Sequence, residues 1–112
     1  MQKSAIEALR AQLDRELIEL NQEDASTTGD RATVQLDQTS VGRLSRMDAL
    51  QRQALAQATQ RRRNTRRTRI AAALKRMDEG EFGYCVDCGE DISKERLELD
   101  PTITLCLECA AP

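Results

Sequence analysis

Cys85 and Cys88 form one C-x-x-C pair and Cys106 and Cys109 a second, with seventeen residues between the pairs. Thiolates are the protein's strongest soft-metal ligands, and two such pairs at this spacing are the pattern of a four-cysteine zinc site. Each pair folds into a tight knuckle that presents two sulfurs to one ion. Gly89 follows the second thiol directly and is the residue type best able to take the positive-φ turn a knuckle needs. The chain has no histidine, which excludes a mixed Cys/His site. Four thiolates fill a tetrahedral shell and leave no position for an activated water. The expectation is therefore one structural Zn²⁺ per chain, and no enzyme activity.

Disulfide and redox roles are the alternatives. Two disulfides suit a secreted chain, but MQKSAIEALRAQLDREL at the N-terminus has no apolar stretch of the kind a signal peptide carries. A cytoplasmic, reducing compartment is the expectation. A redox C-x-x-C accompanies a βαβ pattern, and none is visible. The carboxylates around the cysteines (Asp87, Glu90, Asp91, Glu95, Glu98, Asp100 and Glu108) read as a solvated surface, because nothing supplies a pocket for acid–base chemistry.

The elements that position the cysteines follow from composition and periodicity. Charged residues make up 32% of the chain and aromatics 2%, the profile of long charged helices plus a small module that uses metal in place of a large core. No apolar run approaches membrane-spanning length. Residues 1–50, 51–79 and 80–112 carry net charges of −3, +7 and −6, so a basic middle lies between acidic ends.

Ile6, Leu9, Leu13, Leu17 and Leu20 step by three and four and predict a helix over about 4–23 with a coiled-coil seam. Ser4 and Glu7 have the spacing of a capping box. Residues of about 24–42 are rich in Thr, Ser, Asp and Gly and read as a connection, with Val34, Leu36 and Val41 expected to pin against a helix. A second helix is expected over about 43–79, stopped by Gly80. Its seam is expected at Met47, Leu50, Ala54, Ala58, Thr65, Thr68 and Ala72, with Ile70, Ala73, Leu74 and Met77 packing against the cysteine module. Ile92, Leu97, Leu99, Ile103, Leu105 and Leu107 are expected to give that module its core, and Phe82 and Tyr84, just before the first cysteine, to add bulk. The fold class is mainly α: an antiparallel two-helix coiled-coil hairpin (1–79) with a small C-terminal four-cysteine zinc finger (80–112).

Residues 61–69, RRRNTRRTR, contain six arginines. They read either as a solvated coiled-coil surface or as a polyanion site, with Arg62, Arg66 and Arg69 as candidate contacts. A nucleic-acid-binding module using Arg61–Arg69 is the alternative function. The acidic ends and the absence of interleaved aromatics argue against DNA as the main partner, and no sequence-specific DNA recognition is expected.

Gly80–Glu81–Phe82–Gly83–Tyr84–Cys85–Val86–Asp87–Cys88–Gly89, then Ile92, Arg96–Leu97, Pro101 and Leu105–Cys106–Leu107–Glu108–Cys109, resembles the zinc finger of the DksA/TraR family. The match is dense over residues 74–109. The resemblance implies a bacterial cytoplasmic regulator of transcription that binds RNA polymerase without reading DNA sequence. Its hairpin would enter the secondary channel and place acidic residues near the catalytic magnesium, often together with guanosine tetraphosphate. A monomer is expected.

The chain departs from the family pattern at informative places. The family's tip motif is Asp-x-x-Asp-x-Ala. Here Asp30 and Ala32 match its second half, but Thr27 stands at the first aspartate. Counting back from Cys85 instead places the tip near Asp48. The tip candidates are Asp48, Asp30, Ala32 and Asp37, with Asp48 slightly favoured. For the nucleotide, Arg62 and Arg69 fall where longer members place basic residues on the second helix. Asp100 and Ala110 stand where the family has cations, so two of four cationic positions are lost.

Overall fold

Leu9 and Leu13 are 6% and 1% exposed, and Ile6, Leu17 and Leu20 beside them are half-buried. The three-and-four stripe is thus the inward face of helix α1, Lys3–Ser26. The chain is described by a computed structural model that covers residues 1–26 and 43–111. Helix α2 spans Arg43–Glu79, α3 Lys94–Leu99 and α4 Leu107–Ala110. An isolated antiparallel bridge joins Tyr84 and Asp91. The architecture is mainly α, with the four cysteines near the C-terminus. Among the described residues, no helix is long and apolar enough to cross a membrane.

Ser4 lies inside α1, whose first turn is held by the N–H groups of Ala5 and Ile6 donating to the Gln2 carbonyl, both at 3.1 Å. The expected capping box therefore does not form. The other terminus of the pair follows expectation. Gly80 takes φ +75°, the Gly80 N–H reaches the Met77 carbonyl at 3.4 Å and the Glu81 N–H the Arg76 carbonyl at 2.9 Å. These are the two bonds of a Schellman cap, which satisfies the last carbonyls of α2 and turns the chain directly into the cysteine module.

Two compact units make up the chain. The first joins Met1–Ile18 to Arg67–Pro112. Its interior is built by Leu9 and Leu13 of α1, Ile70, Ala73 and Met77 of α2, and Phe82, Ile92 and Leu97 of the finger, all under 9% exposed. Pro101 is fully buried beside them. Arg10 Nη2 lies 2.7 Å from Asp78 Oδ1 within this unit. Burial of the Ile70, Ala73 and Met77 face matches the sequence reading. Leu99 and Leu107 do not: they are 85% and 69% exposed. Leu99 ends α3 on the side away from Leu97, and Leu107 opens α4 within the second knuckle with its side chain exposed. Tyr84 is likewise 46% exposed, whereas Phe82 is 3% exposed and supplies the aromatic bulk.

The second unit is Glu19–Arg66, and here the expected seam of α2 holds only at Ala58, which is half-buried. Met47, Leu50 and Leu55 are 47%, 44% and 65% exposed, and Ala54 and Thr65 are exposed as well; so, in the first unit, are Thr68 and Ala72. Arg46, Thr59 and Arg66 are half-buried too, but the regular run is Ala49, Gln53, Ala56, Gln60 and Arg63, which continues along the helix through Arg67 to Ile70, Leu74 and Met77 in alternating steps of four and three. The helix is phased by its buried C-terminal residues, and a heptad carried back from Met77 brings polar side chains inward. Acidic residues late in α1 make this tolerable. Arg63, 12% exposed at its side chain, lies 3.2 Å (Nε) from Glu23 Oε2 and 3.6 Å (Nη1) from Asp24 Oδ1. Val34, Leu36 and Val41 lie outside the described residues.

Candidate metal centre

The first knuckle is set by glycines and backbone hydrogen bonds. Gly83 and Gly89 take φ +94° and +78°, conformations that cost an L-residue strain. The Gly89 N–H donates to the Cys85 carbonyl at 2.9 Å, and the Cys85 N–H donates to Glu90 O at 2.8 Å. The Ile92 N–H reaches Gly83 O at 2.8 Å, which returns the chain alongside itself at the Tyr84–Asp91 bridge. Cys106 caps α4, its Sγ accepting from the Cys109 N–H at 3.5 Å, and the Ala110 N–H closes the turn on the Cys106 carbonyl at 2.9 Å. The two halves are tied together by the Val86 N–H on the Thr104 carbonyl at 2.9 Å.

Between the knuckles, α3 is anchored by a single buried side chain. Ser93 caps it by accepting from the Arg96 N–H at 3.3 Å, and Leu97 is fully buried. Asp100 closes it, and its Oδ1 accepts from the Thr102 N–H at 3.1 Å and the Thr102 hydroxyl at 2.8 Å. Arg96 Nη2 donates to the Leu105 carbonyl at 3.2 Å, immediately before Cys106.

This framework brings all four sulfurs within 4.8 Å of one another, and the Cys88 and Cys106 sulfurs to 3.6 Å. A regular tetrahedron with metal–sulfur bonds of about 2.3 Å has sulfur–sulfur edges of about 3.8 Å. The group is one four-sulfur cluster and not two separate pairs, which is the geometry of a single ion. Cys85 is the buried member, Cys106 and Cys109 are half-buried, and Cys88 is exposed.

The electrostatics point the same way. The backbone N–H of Cys106, helped by those of Cys88 and Asp87, stabilises the Cys85 thiolate and holds its pKa down to about 6 against burial. The Glu90 N–H favours the Cys88 thiolate, but burial and the Cys106 and Cys85 sulfurs outweigh it and push Cys88 up. Cys109 is pushed far up, first by the Cys106 sulfur and then by those of Cys85 and Cys88. Several thiolates cannot share so small a volume without a cation, whereas a divalent ion at their centre turns mutual repulsion into ligation. Cys85, Cys88, Cys106 and Cys109 fit zinc in number, chemistry and separation, and would hold it. When bound, it supplies cross-linking of the two knuckles.

The other candidate residues are dispersed. Asp48 is exposed, early in α2, in the second unit; Asp30, Ala32 and Asp37, with Thr27, lie outside the described residues. Arg62 is exposed and donates to Thr59 Oγ1 at 3.0 Å, and Arg66 is half-buried. Arg69 belongs to the first unit, where its Nη2 is 3.9 Å from Asp100 Oδ2. The arginine block is thus divided between roles, with Arg63 turned toward Glu23 and Asp24 and Arg69 facing a carboxylate. Arg63 and Arg96 were not singled out as contacts from sequence. The signal for Arg63 was the acidic pair late in α1, which charge complementarity across the helices required to be matched.

Comparison with known proteins converges on the same module. Residues 80–112 match the prokaryotic dksA/traR C4-type zinc finger. A stretch of 41 residues, 37% of this chain, is 51% identical to the RNA polymerase-binding transcription factor DksA of Haemophilus influenzae, covering 28% of that protein. The corresponding protein of Escherichia coli K12 is 44% identical over 41 residues, 37% of this chain and 27% of its own length. The matched stretch thus spans little more than a quarter of these relatives. The fold is similar over nearly the whole chain to that of transcription factor DksA2 from Pseudomonas aeruginosa, with a TM-score of 0.77 at 25% identity, covering 96% of this chain and 81% of that one. Four clustered thiols, the finger match and the shared helical fold together make this chain a DksA-like zinc finger protein with a structural zinc.

Proposed function

We propose that the chain is a cytoplasmic transcription regulator that binds RNA polymerase through its helical hairpin, the zinc finger serving as a base and contributing no catalytic group. The observation that carries this reading is the fold likeness to DksA2 over 96% of the chain, joined to a finger 51% identical to that of a protein named for polymerase binding. In this reading the helical pair enters the polymerase secondary channel. A carboxylate at its tip then acts electrostatically on the catalytic magnesium. Asp48, exposed on α2, is the candidate among the described residues; Asp30 and Asp37, with Ala32 beside Asp30, are the others. Guanosine tetraphosphate is not required by this reading, because Asp100 lies beside Arg69 and Ala110 offers no charge. The protein acts as a monomer and does not read DNA sequence.

Co-elution of the full chain with core RNA polymerase, followed by transcription from a ribosomal-type promoter, tests the reading. Binding at micromolar concentration with a change in transcript yield is expected, and no binding refutes it. Asp48→Asn is expected to leave binding intact while reducing the transcriptional effect. An unchanged effect moves the assignment to Asp30.

A further inference from the structure

Residues 80–112 contain eight carboxylates and only two cations, Lys94 and Arg96. Lys94 Nζ sits 3.8 Å from Glu98 Oε1 on the outer face of α3. Arg96 is placed differently. Its Nη2 is fixed on the Leu105 carbonyl at 3.2 Å, while its Nε is buried and, among the described residues, has no hydrogen-bond partner. It lines one cavity with Cys88 and Cys106, together with Glu90, Asp91 and Glu108.

A buried guanidinium N–H without an acceptor is costly. A zinc ion held by four thiolates is dianionic, and here it sits among further carboxylates. Each therefore lacks what the other supplies. We propose that Arg96 is the internal counter-charge of the zinc–thiolate centre. Its fork fixes the Leu105 carbonyl, and with it the approach of Cys106, while its charge offsets the excess negative charge on the Cys88–Cys106 side. Arg96 touches the ligands' surroundings and not the ion, so it is a positioning residue. Such outer partners orient ligands and tune how tightly the metal is held.

The test uses the full zinc-loaded chain and a colorimetric chelator, with the cobalt(II)-substituted chain as a spectroscopic probe. Arg96→Gln is expected to lower zinc affinity about 10- to 100-fold and to shift the thiolate-to-cobalt charge-transfer band. Arg96→Lys keeps the charge without the fork and is expected to recover part of both. Wild-type affinity and an unmoved band in Arg96→Gln overturn the proposal. Equal losses in the Gln and Lys variants with an unmoved band also overturn it, because they make Arg96 a packing residue only. Should Arg96→Gln fail to fold, Glu108→Gln carries the test: removing a carboxylate from the same cavity is expected to slow zinc release, and unchanged or faster release refutes the counter-charge role.

Discussion

Replacing Arg63 with alanine separates two accounts of how α2 meets α1. The Arg63 side chain is 12% exposed and lies against Glu23, 59% exposed, and Asp24, 24% exposed. The pair to Glu23 is largely solvated and contributes about 0.2–1 kcal/mol. Asp24 differs, because its Oδ1 is buried; stripping away a cationic neighbour leaves part of a carboxylate desolvated, at about 1–3 kcal/mol. Arg63→Ala should therefore destabilise the helical pair by about 1–4 kcal/mol, whereas Arg62→Ala, at an exposed position, should stay within about 0.5 kcal/mol. Urea unfolding followed by circular dichroism measures both. The Glu23 share should shrink at high salt, and the Asp24 share much less. A double-mutant cycle with Asp24→Asn should return a coupling of about 0.5–3 kcal/mol. The opposite seam, through Met47, Leu50 and Ala54, makes the reverse demand: Leu50→Ala would cost about 2–5 kcal/mol as a core deletion. If Leu50→Ala proves costly and Arg63→Ala neutral, the phase of α2 described above is wrong.

Two further outcomes concern the finger. Metal analysis should find about one zinc per chain, and acidification should release it. The Cys85 pKa is held down to about 6 from an ordinary 9.0, so its thiolate favours the folded state fully above the higher value and loses that advantage as pH falls through the lower one. That value belongs to the metal-free thiol, and coordination keeps the thiolate deprotonated to still lower pH; chelator-detected zinc should therefore appear only below about pH 6, and release complete above that pH would refute the assignment. Gly80→Ala should cost about 1–2 kcal/mol from backbone strain alone, because φ is +75° and no atom lies within 4 Å of the added Cβ. A neutral result in thermal unfolding would show that the Schellman turn is not needed.

The finger was legible because its signals are local. Cysteine spacing, Gly89 after the second knuckle thiol and Gly80 at the end of α2 each act through their own backbone, and each sits where the spacing predicts. The leucine stripe of α1 was legible for the same reason. The phase of α2 was not, because apolar identity is a poor guide when the partner helix offers carboxylates. Met47 and Leu50 look like a seam, and Gln60 and Arg63 do not. What decides is the buried anchoring of Ile70, Ala73 and Met77, together with a charge match to residues about 40 positions away. Tertiary terms of that kind leave no periodic mark on one helix. Leu99 and Leu107 failed for a related reason: in a module this small, the ion and two glycine turns fix the backbone, and only some leucines then face inward.

The distribution of buried side chains also bears on how the chain opens. Among the described residues, every apolar side chain under 9% exposed belongs to the unit that joins Met1–Ile18 to the finger. Among the described residues of Glu19–Arg66, the inward positions are only half-buried and include the polar Gln53, Gln60 and Arg63. Amide hydrogens should therefore exchange in two tiers. Those of Leu9, Leu13, Ile70 and Ala73 should exchange only through global unfolding and slow further when zinc is supplied, since a ligand of the native state raises that barrier by mass action. Amides near Gln53 and Gln60 should exchange through partial opening at a rate indifferent to the metal.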